Sequence, residues 1–381
     1  MNLLYISTVD CAQASGVRNK IYGQIDVMRN AGINVGLLCA WGEQIAIKKS
    51  DKVKKLSTFK NKGPFRYFNL SSMLYSTVYR YVVENRIDGV YIRYSISDPS
   101  FINMLKRLRK KSIKIFIEIP TYPYDLEYAN KQWYKRIGLY IDRIFRKRLY
   151  KYTDRIYTPS PNQKNIFGVE TIFFENGINT NTVKMRRYRG GKKDTLRFIG
   201  VANINSWHGY DRVITGISKY SEKGCKKNIV FNVVGDGVEL PNLKRLANKL
   251  NIEDKIVFHG GKFGKELDEL YDTSDIAVSS IGFFRLKSIP STILKTREAC
   301  LKGIPFIYLK GDPSFESDFK YAFVVEDIDE PLNIEKIYDW FIKLNPNEYI
   351  KEMNKFAQKH LGWDNTFKVV ISDIKKSIAN D

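Results

Sequence analysis

Histidine occurs three times in 381 residues and cysteine four times. Cys11, Cys39, Cys225 and Cys300 stand far apart with no CxxC spacing, and His208, His259 and His360 share no ligand pattern with them. No transition-metal site is expected, and the thiols read as reduced cytosolic ones. Long apolar runs are missing too. VGLLCAW from Val35 falls far short of the ~20 residues that cross a bilayer, and MNLLYISTVD reads as a strand with no basic stretch before it. Neither a membrane span nor an export leader is expected. Acidic residues are scarce beside basic ones, 41 against 63, and the net charge of +22 draws the chain towards polyanions. These could be nucleic acid, anionic lipid or phosphorylated substrates. No zinc-finger, RRM, KH or helix-turn-helix signature accompanies the charge, so nucleic acid is not an expected partner.

What the sequence does hold is alternation. A hydrophobic content of 43% with 13% aromatics is enough to fill two cores. NLLYIST, INVGLLC, DGVYIRY, IKIFIEIP, RIYTPS and TIFFENG read as strands, with an amphipathic helix from about Asn19 to Ala31 after the first. The pattern restarts with LRFIGVA, IVFNVVGDG, KIVFHGG, DIAVSS and PFIYLKG. Short apolar strands separated by helical stretches indicate βαβ units and parallel sheets. The fold class expected is therefore α/β, with two Rossmann-like domains facing a cleft, residues 1–185 and 190–362. VKMRRYRGGKKD, Val183 to Asp194, reads as the linker between them.

Ligands of open α/β sheets bind where strands end, so strand-end loops are the candidates for chemistry. DCAQASGVRNK puts Gly16 at a helix start, where backbone amides can approach an anion. VVGDGVEL ends a β-branched run with Gly235 and Asp236, which also fits an ordinary tight turn. In VANINSWHGYDRVITGI, Asn203, Trp207 and His208 sit between strand and helix. In RLKSIPSTILKTREACLKGIPF, Pro290 and Ser291 mark a helix start and Gly303 its end, predicting a helix over Thr292–Lys302. At 100° per residue, Ser291, Lys295 and Glu298 fall within an arc of about 60°. The helix start can hold an anion, Lys295 can add charge to a diphosphate, and Glu298 can accept hydroxyls of a sugar ring. The alternative is a solvated Lys295–Glu298 pair worth ~0.2–0.5 kcal/mol.

Taken together, SGVRNK, NGINTNTV, VANINSWHGYDRVI, VVGDG, KIVFHGG and LKTREACLKGIPF resemble the GT-B glycosyltransferases, specifically the retaining family 4 that builds bacterial polysaccharides and glycolipids. The resemblance implies that the C-terminal half holds a nucleotide-sugar. Glu298 would sit on the ribose, amides near Ser291 and Thr292 on the diphosphate, and His259, Gly260 and the residues to Lys262 beside the base. The N-terminal half would take the acceptor, with Gly16 beside donor phosphate and acceptor and the helix from about Trp363 completing that domain. Three positions depart from the family's pattern. Pro290 stands where the first acid of a Glu-x7-Glu pair is usual, and Asn203 and His208 replace a diphosphate-clamping Arg and Lys. Lys295 and Arg285 are the candidates to compensate. "WHGY" and "LKxRE" also occur in capsule and exopolysaccharide members, which makes this a subfamily pattern.

The chemistry implied is loss of a nucleoside diphosphate, with charge on the β-phosphate stabilised by the helix dipole, Lys295 and Arg285 or His208 in place of a metal. No metal or other cofactor is expected beyond the nucleotide-sugar. Arg93, Glu118, Tyr122 and Asp125 are candidates to orient the acceptor, one of them as a base. KQWYKRIGLYIDRIFRKRLYK, from Lys131 to Lys151, has eight Lys or Arg against one Asp, with Trp133, Ile137, Tyr140, Ile141 and Ile144 at helical spacing. Such a helix suits an anionic membrane surface, or packs its apolar stripe on the core with its cations outward. With KVKKLSTFKNKGPFRYF it points to a cytoplasmic enzyme, peripheral at the inner face of the membrane, with a polyprenyl-linked glycan acceptor. A noncatalytic homologue serving as a scaffold is the alternative.

Overall fold

Short β-branched runs become strands buried on both faces, as parallel sheets require when helices cover them above and below. The structure, a computed structural model, describes residues 1–13, 15–59, 66–129, 133–189, 194–224, 227–286, 292–315 and 319–379. The chain forms two units, Met1–Asn179 with Trp363–Asp381, and Thr180–Gly362.

The first unit runs β1 (Asn2–Asp10), α1 (Gly16–Asn30), β2 (Asn34–Trp41), β3 (Gln44–Lys49), β4 (Lys52–Thr58), α2 (Arg66–Glu84), β5 (Gly89–Arg93), α3 (Pro99–Arg109), β6 (Lys114–Glu118), α4 (Asp125–Ala129), α5 (Trp133–Phe145), β7 (Arg155–Thr158), β8 (Asn165–Ile166) and β9 (Val169–Phe173). Its sheet order is β4-β3-β2-β1-β5-β6-β7-β9-β8. Pairing is parallel from β2 to β9, and β3, β4 and β8 add antiparallel edges. Leu4, Ile6, Val90, Ile92, Ile115 and Ile117 form the centre of its core. Lys52, Lys54 and Lys55 are exposed on the edge strand β4, where charge discourages pairing with another chain. The rest of that basic stretch, residues 60–65, lies outside the described residues.

The second unit runs β10 (Thr195–Val201), α6 (Tyr210–Glu222), β11 (Asn228–Val234), α7 (Leu240–Lys249), β12 (Ile256–Gly260), α8 (Gly264–Thr273), β13 (Ile276–Val278), α9 (Leu294–Lys302), β14 (Phe306–Leu309), β15 (Ala322–Val325), α10 (Ile334–Phe341) and α11 (Pro346–Phe356). All its strands are parallel, in the order β12-β11-β10-β13-β14-β15. The order reverses between β10 and β13, which makes the loops after those two strands the ligand-binding position of such a sheet. The chain then returns to the first unit through α12 (Trp363–Thr366) and α13 (Lys368–Ala379). Tyr157 donates to Asp373 on α13 at 2.7 Å. Trp363 lies so close to α1 that a Cβ at Gly23 would fall 2.3 Å from its Nε1, so only glycine fits there.

Two expectations need correcting. The basic segment after Val183 does not link two bodies, because Lys184 to Arg189 pack on the second unit. Arg186 is buried, and its guanidinium donates to the carbonyls of Gly303 (3.0 Å) and Ser274, just past the ends of α9 and α8. A cation there satisfies carbonyls that helix geometry leaves open. Residues 190–193 lie outside the description. The helix carrying Lys295 begins at Leu294, two residues later than its sequence signals indicate, with Ile293 extended at its N-cap.

Candidate functional site

Sequence positions 202–209 leave β10 through an irregular loop and a short 3₁₀ turn, Ser206–His208, closed by Gly209 at φ +66°. His208 is buried there between Trp207 and Tyr210, with ring centroids 5.9 and 5.6 Å away. Its Nδ1 faces the backbone N–H of Asn205 at 3.0 Å. The Asn205 carbonyl lies 3.2 Å from the same nitrogen, so Nδ1 accepts from the N–H in one tautomer and donates to the carbonyl in the other. Burial, reinforced by Lys295, lowers the imidazole pKa well below its ordinary value. His208 is therefore a neutral imidazole rather than the cation that a phosphate clamp would supply.

The loop after β13 is sewn to this turn, since Ile281 and Gly282 donate to the carbonyls of His208 and Trp207, each at 3.1 Å. Ser280 in that loop lies 3.4 Å from Lys295 Nζ. Ser279 Oγ beside it is buried with no partner among the described residues. Sequence reasoning passed over these two serines; their signal was a polar pair directly after the apolar strand Ile276–Val278.

Lys295 and Glu298 rise from the first two turns of α9. Both are half-buried, and no ion pair joins them among the described residues. The solvated-pair alternative is thereby set aside. Burial brings Lys295 down to about 8, against the pull of Glu298, and pushes the Glu298 carboxyl up. Glu298 accepts no hydrogen bond from the described residues. A half-buried carboxylate without a donor is costly unless a ligand supplies one. The neighbouring Arg297, by contrast, is buried in a two-pronged pair with Asp312, which fixes α9 to the loop after β14. Thr292 is buried just before the helix. Ser291 and Pro290 lie outside the described residues.

The remaining donor-side candidates frame the ends of β11 and β12. Gly235, at φ +116°, packs so tightly that a Cβ would fall 1.9 Å from the Ala202 carbonyl, so its role in the fold is to let the loops after β10 and β11 meet. Asp236 is exposed and its Oδ2 accepts from Gly261 N–H at 3.1 Å. His259 Nε2 contacts Asn232 Oδ1 at 2.8 Å, and Gly260 turns the chain at φ +65°. Asn203 is exposed, its carbonyl accepting from the Asn205 side chain at 2.7 Å.

Arg285 corrects an expectation. Its guanidinium meets Asp211 at 2.6 and 2.8 Å and Asp329 at 2.9 Å, and it donates to the Ser206 carbonyl at 2.7 Å. The bonds it donates to Asp211 raise its pKa further. Two carboxylates neutralise this cation, so it braces the His208 turn instead of offering charge to a phosphate.

Glu118 corrects a second one. In the first unit it is fully buried, with Lys20 and Arg93 each at 2.8 Å on one oxygen and Gln24 and Tyr91 each at 2.8 Å on the other. Burial pushes its pKa up, but Lys20 and Arg93 outweigh that and hold it below the carboxylate range. A carboxylate with every lone pair engaged and no solvent access cannot act as an acceptor base. Asp125 is likewise held by Arg143 and Arg146, at 2.8 and 3.0 Å. Gly16 opens α1 behind the N-cap Ser15, whose Oγ accepts from Arg18 N–H at 3.1 Å. Among the described residues, no atom beyond its chain neighbours and its own helix backbone lies within 4 Å of where its Cβ would stand.

A neutral histidine, a low-pKa lysine and a carboxylate with no donor among the described residues thus stand after the strands where the parallel sheet reverses, the position at which open α/β sheets bind ligands. Residues 184–358 match the family model described as glycosyl transferases group 1. That match takes in His208, His259, Lys295 and Glu298. No curated protein sequence matches the chain significantly. Among solved structures, sucrose-phosphate synthase from Thermosynechococcus elongatus is similar with a TM-score of 0.71 at 13% identity, over 100% of both chains. Anabaena HepE in complex with UDP gives 0.61 at 14% identity, over 100% of both chains. The catalytic domain of starch synthase IV from Arabidopsis thaliana, bound to ADP and acarbose, gives 0.66 at 10% identity, over 100% of this chain and 99% of that one. At such identities the likeness is one of fold: two parallel-sheet α/β domains of the GT-B type.

Proposed function

We propose that the protein is a glycosyltransferase that moves a hexosyl group, with retention, from a UDP- or GDP-sugar to a polyprenyl-linked glycan in bacterial surface polysaccharide synthesis. The observation that carries this is Glu298, a half-buried carboxylate with no donor of its own, one turn beyond a lysine whose pKa falls to about 8. Glu298 accepts two ribose hydroxyls. Lys295 lies against the diphosphate, and His208, in the tautomer protonated at Nε2, donates to the phosphate oxygen on which charge grows as the sugar leaves. Because Arg285 is spent on Asp211 and Asp329, Lys295 is, among the described residues named for this site, the cation left for this task. A helix start, a cation and a neutral donor together supply what a divalent ion would, so transfer should survive chelation. The base lies against His259 and Gly260. The acceptor falls to the first unit near Gly16, and the enzyme works at the inner face of the membrane. The group 1 match, and the UDP and ADP bound in similar structures, support a nucleotide-sugar donor.

The scaffold reading is favoured by one observation, the absence of charge at Asn203 and His208. Incubating the protein with UDP- and GDP-sugars, with and without EDTA, separates the two. Release of nucleoside diphosphate with free or transferred sugar supports the enzyme. Nucleotide binding without turnover supports the scaffold.

A further inference from the structure

Helix α5 is built inside out. Its inner face carries Gly138, Leu139 and Asp142, all buried. Asp142 is held by the Ser97 N–H and the Tyr124 hydroxyl, each at 2.7 Å, by Arg146 at 3.2 Å, and by Tyr94. Polar bonds to one carboxylate thus pin the helix to its unit. Trp133, Ile137, Tyr140 and Ile144 point the other way, 60, 46, 67 and 45% exposed. At 100° per residue these four fall within an arc of about 60° opposite the buried face. Of the two readings of this stripe, membrane surface or core packing, the exposure of these four side chains fits the first. An apolar patch of this kind marks a surface that something covers.

Charge selects the occupant. Arg136 borders the stripe, and the following 3₁₀ segment, Arg146–Lys151, adds exposed Lys147, Arg148 and Lys151. A second copy of this chain would bring the same cations face to face, in a molecule already at +22. Aromatic and branched side chains ringed by cations match the boundary of an anionic bilayer, where rings enter the headgroup layer and cations meet lipid phosphates. At 13 residues the helix lies on such a surface and does not span it. We infer that the Trp133–Ile137–Tyr140–Ile144 face of α5 is the membrane-docking surface of the protein, for anionic phospholipid. This deepens the membrane part of the proposed function and rests on it for its purpose, while involving none of the donor-site residues.

The test is cosedimentation with vesicles of phosphatidylcholine alone or with one third phosphatidylglycerol, for the wild type, for Trp133→Ser/Ile137→Ser/Tyr140→Ser/Ile144→Ser, and for Arg136→Glu/Arg148→Glu. All six side chains are exposed, and a thermal shift with nucleotide reports whether each variant is folded. Wild type should bind the anionic vesicles and not the neutral ones, with binding weakened by high salt. Both variants should lose at least ~tenfold in partitioning while keeping their nucleotide response. Trp133 emission, isolated by difference from Trp133→Phe, should shift to the blue on binding. Equal partitioning of the four-serine variant would overturn the proposal. So would a wild-type dimer that the same variant reduces to a monomer. Vesicle binding without any nucleotide response would instead sink the donor-site reading and leave this surface standing.

Discussion

Lys295 and Glu118 show how a charged side chain drawn out of water takes opposite roles according to whether its charge is compensated. Glu118 meets two cations and two further donors, so its charge is compensated. Glu118→Gln strands Lys20 and Arg93, and should cost about 3 kcal/mol in urea unfolding while leaving donor affinity unchanged. Lys295 has no such compensation, and its ammonium is tolerated rather than favoured. Lys295→Met should therefore raise the stability of the ligand-free protein by about 1 kcal/mol and abolish its response to nucleoside diphosphate, a trade of stability for function. The same lysine sets a pH dependence. With its pKa about 8 when free and raised by a bound diphosphate, affinity should be flat below pH 8 and weaken above it as the proton is lost. Calorimetric titration across that range checks this, and Lys295→Arg should flatten the curve because arginine keeps its proton.

Among the elements, the parallel strands other than β15 were legible from β-branched runs and glycine punctuation, because sheets buried on both faces leave that mark, whereas β15 and the antiparallel edges β3, β4 and β8 were not read. Helix α9 was legible in its carboxylate, its lysine and its terminal Gly303, but its start was not. Ser291 read as a cap and lies outside the described residues, whereas the helix begins at Leu294 behind an extended Ile293. Arg186 was hidden in a cationic stretch that looks like a solvated linker; nothing local shows that one arginine of the run reaches the helix ends at Gly303 and Ser274. For the same reason Arg285 and Glu118 were misjudged, since their partners Asp211, Asp329, Lys20 and Arg93 are distant in sequence. The stripe of α5 was legible as a surface-seeking one, but periodicity left its direction open between membrane and core, and the structure turns it outward. Gly235 was legible as a turn, and the structure adds its reason. Gly235→Ala should lower the melting temperature sharply, since its Cβ would overlap the Ala202 carbonyl at 1.9 Å and the strain has backbone on both sides.

The whole chain divides into two units with separate cores. If the donor site belongs to Thr180–Gly362, nucleotide at a hundredfold excess over its Kd adds about 2.7 kcal/mol to that unit. Hydrogen exchange should then slow in the core strands β10, β11 and β13 and stay unchanged in β1, β5 and β6. The central claim is narrower: the unpartnered carboxylate of Glu298 is there for a ribose. It is tested most directly by titrating UDP or GDP, whichever binds, and its 2′,3′-dideoxy analogue into the wild type and Glu298→Ala. Loss of the ribose hydroxyls should weaken wild-type binding at least ~tenfold, the value of a charge-assisted hydrogen bond, and should cost the variant nothing. An equal penalty in both proteins, or none in either, would contradict it.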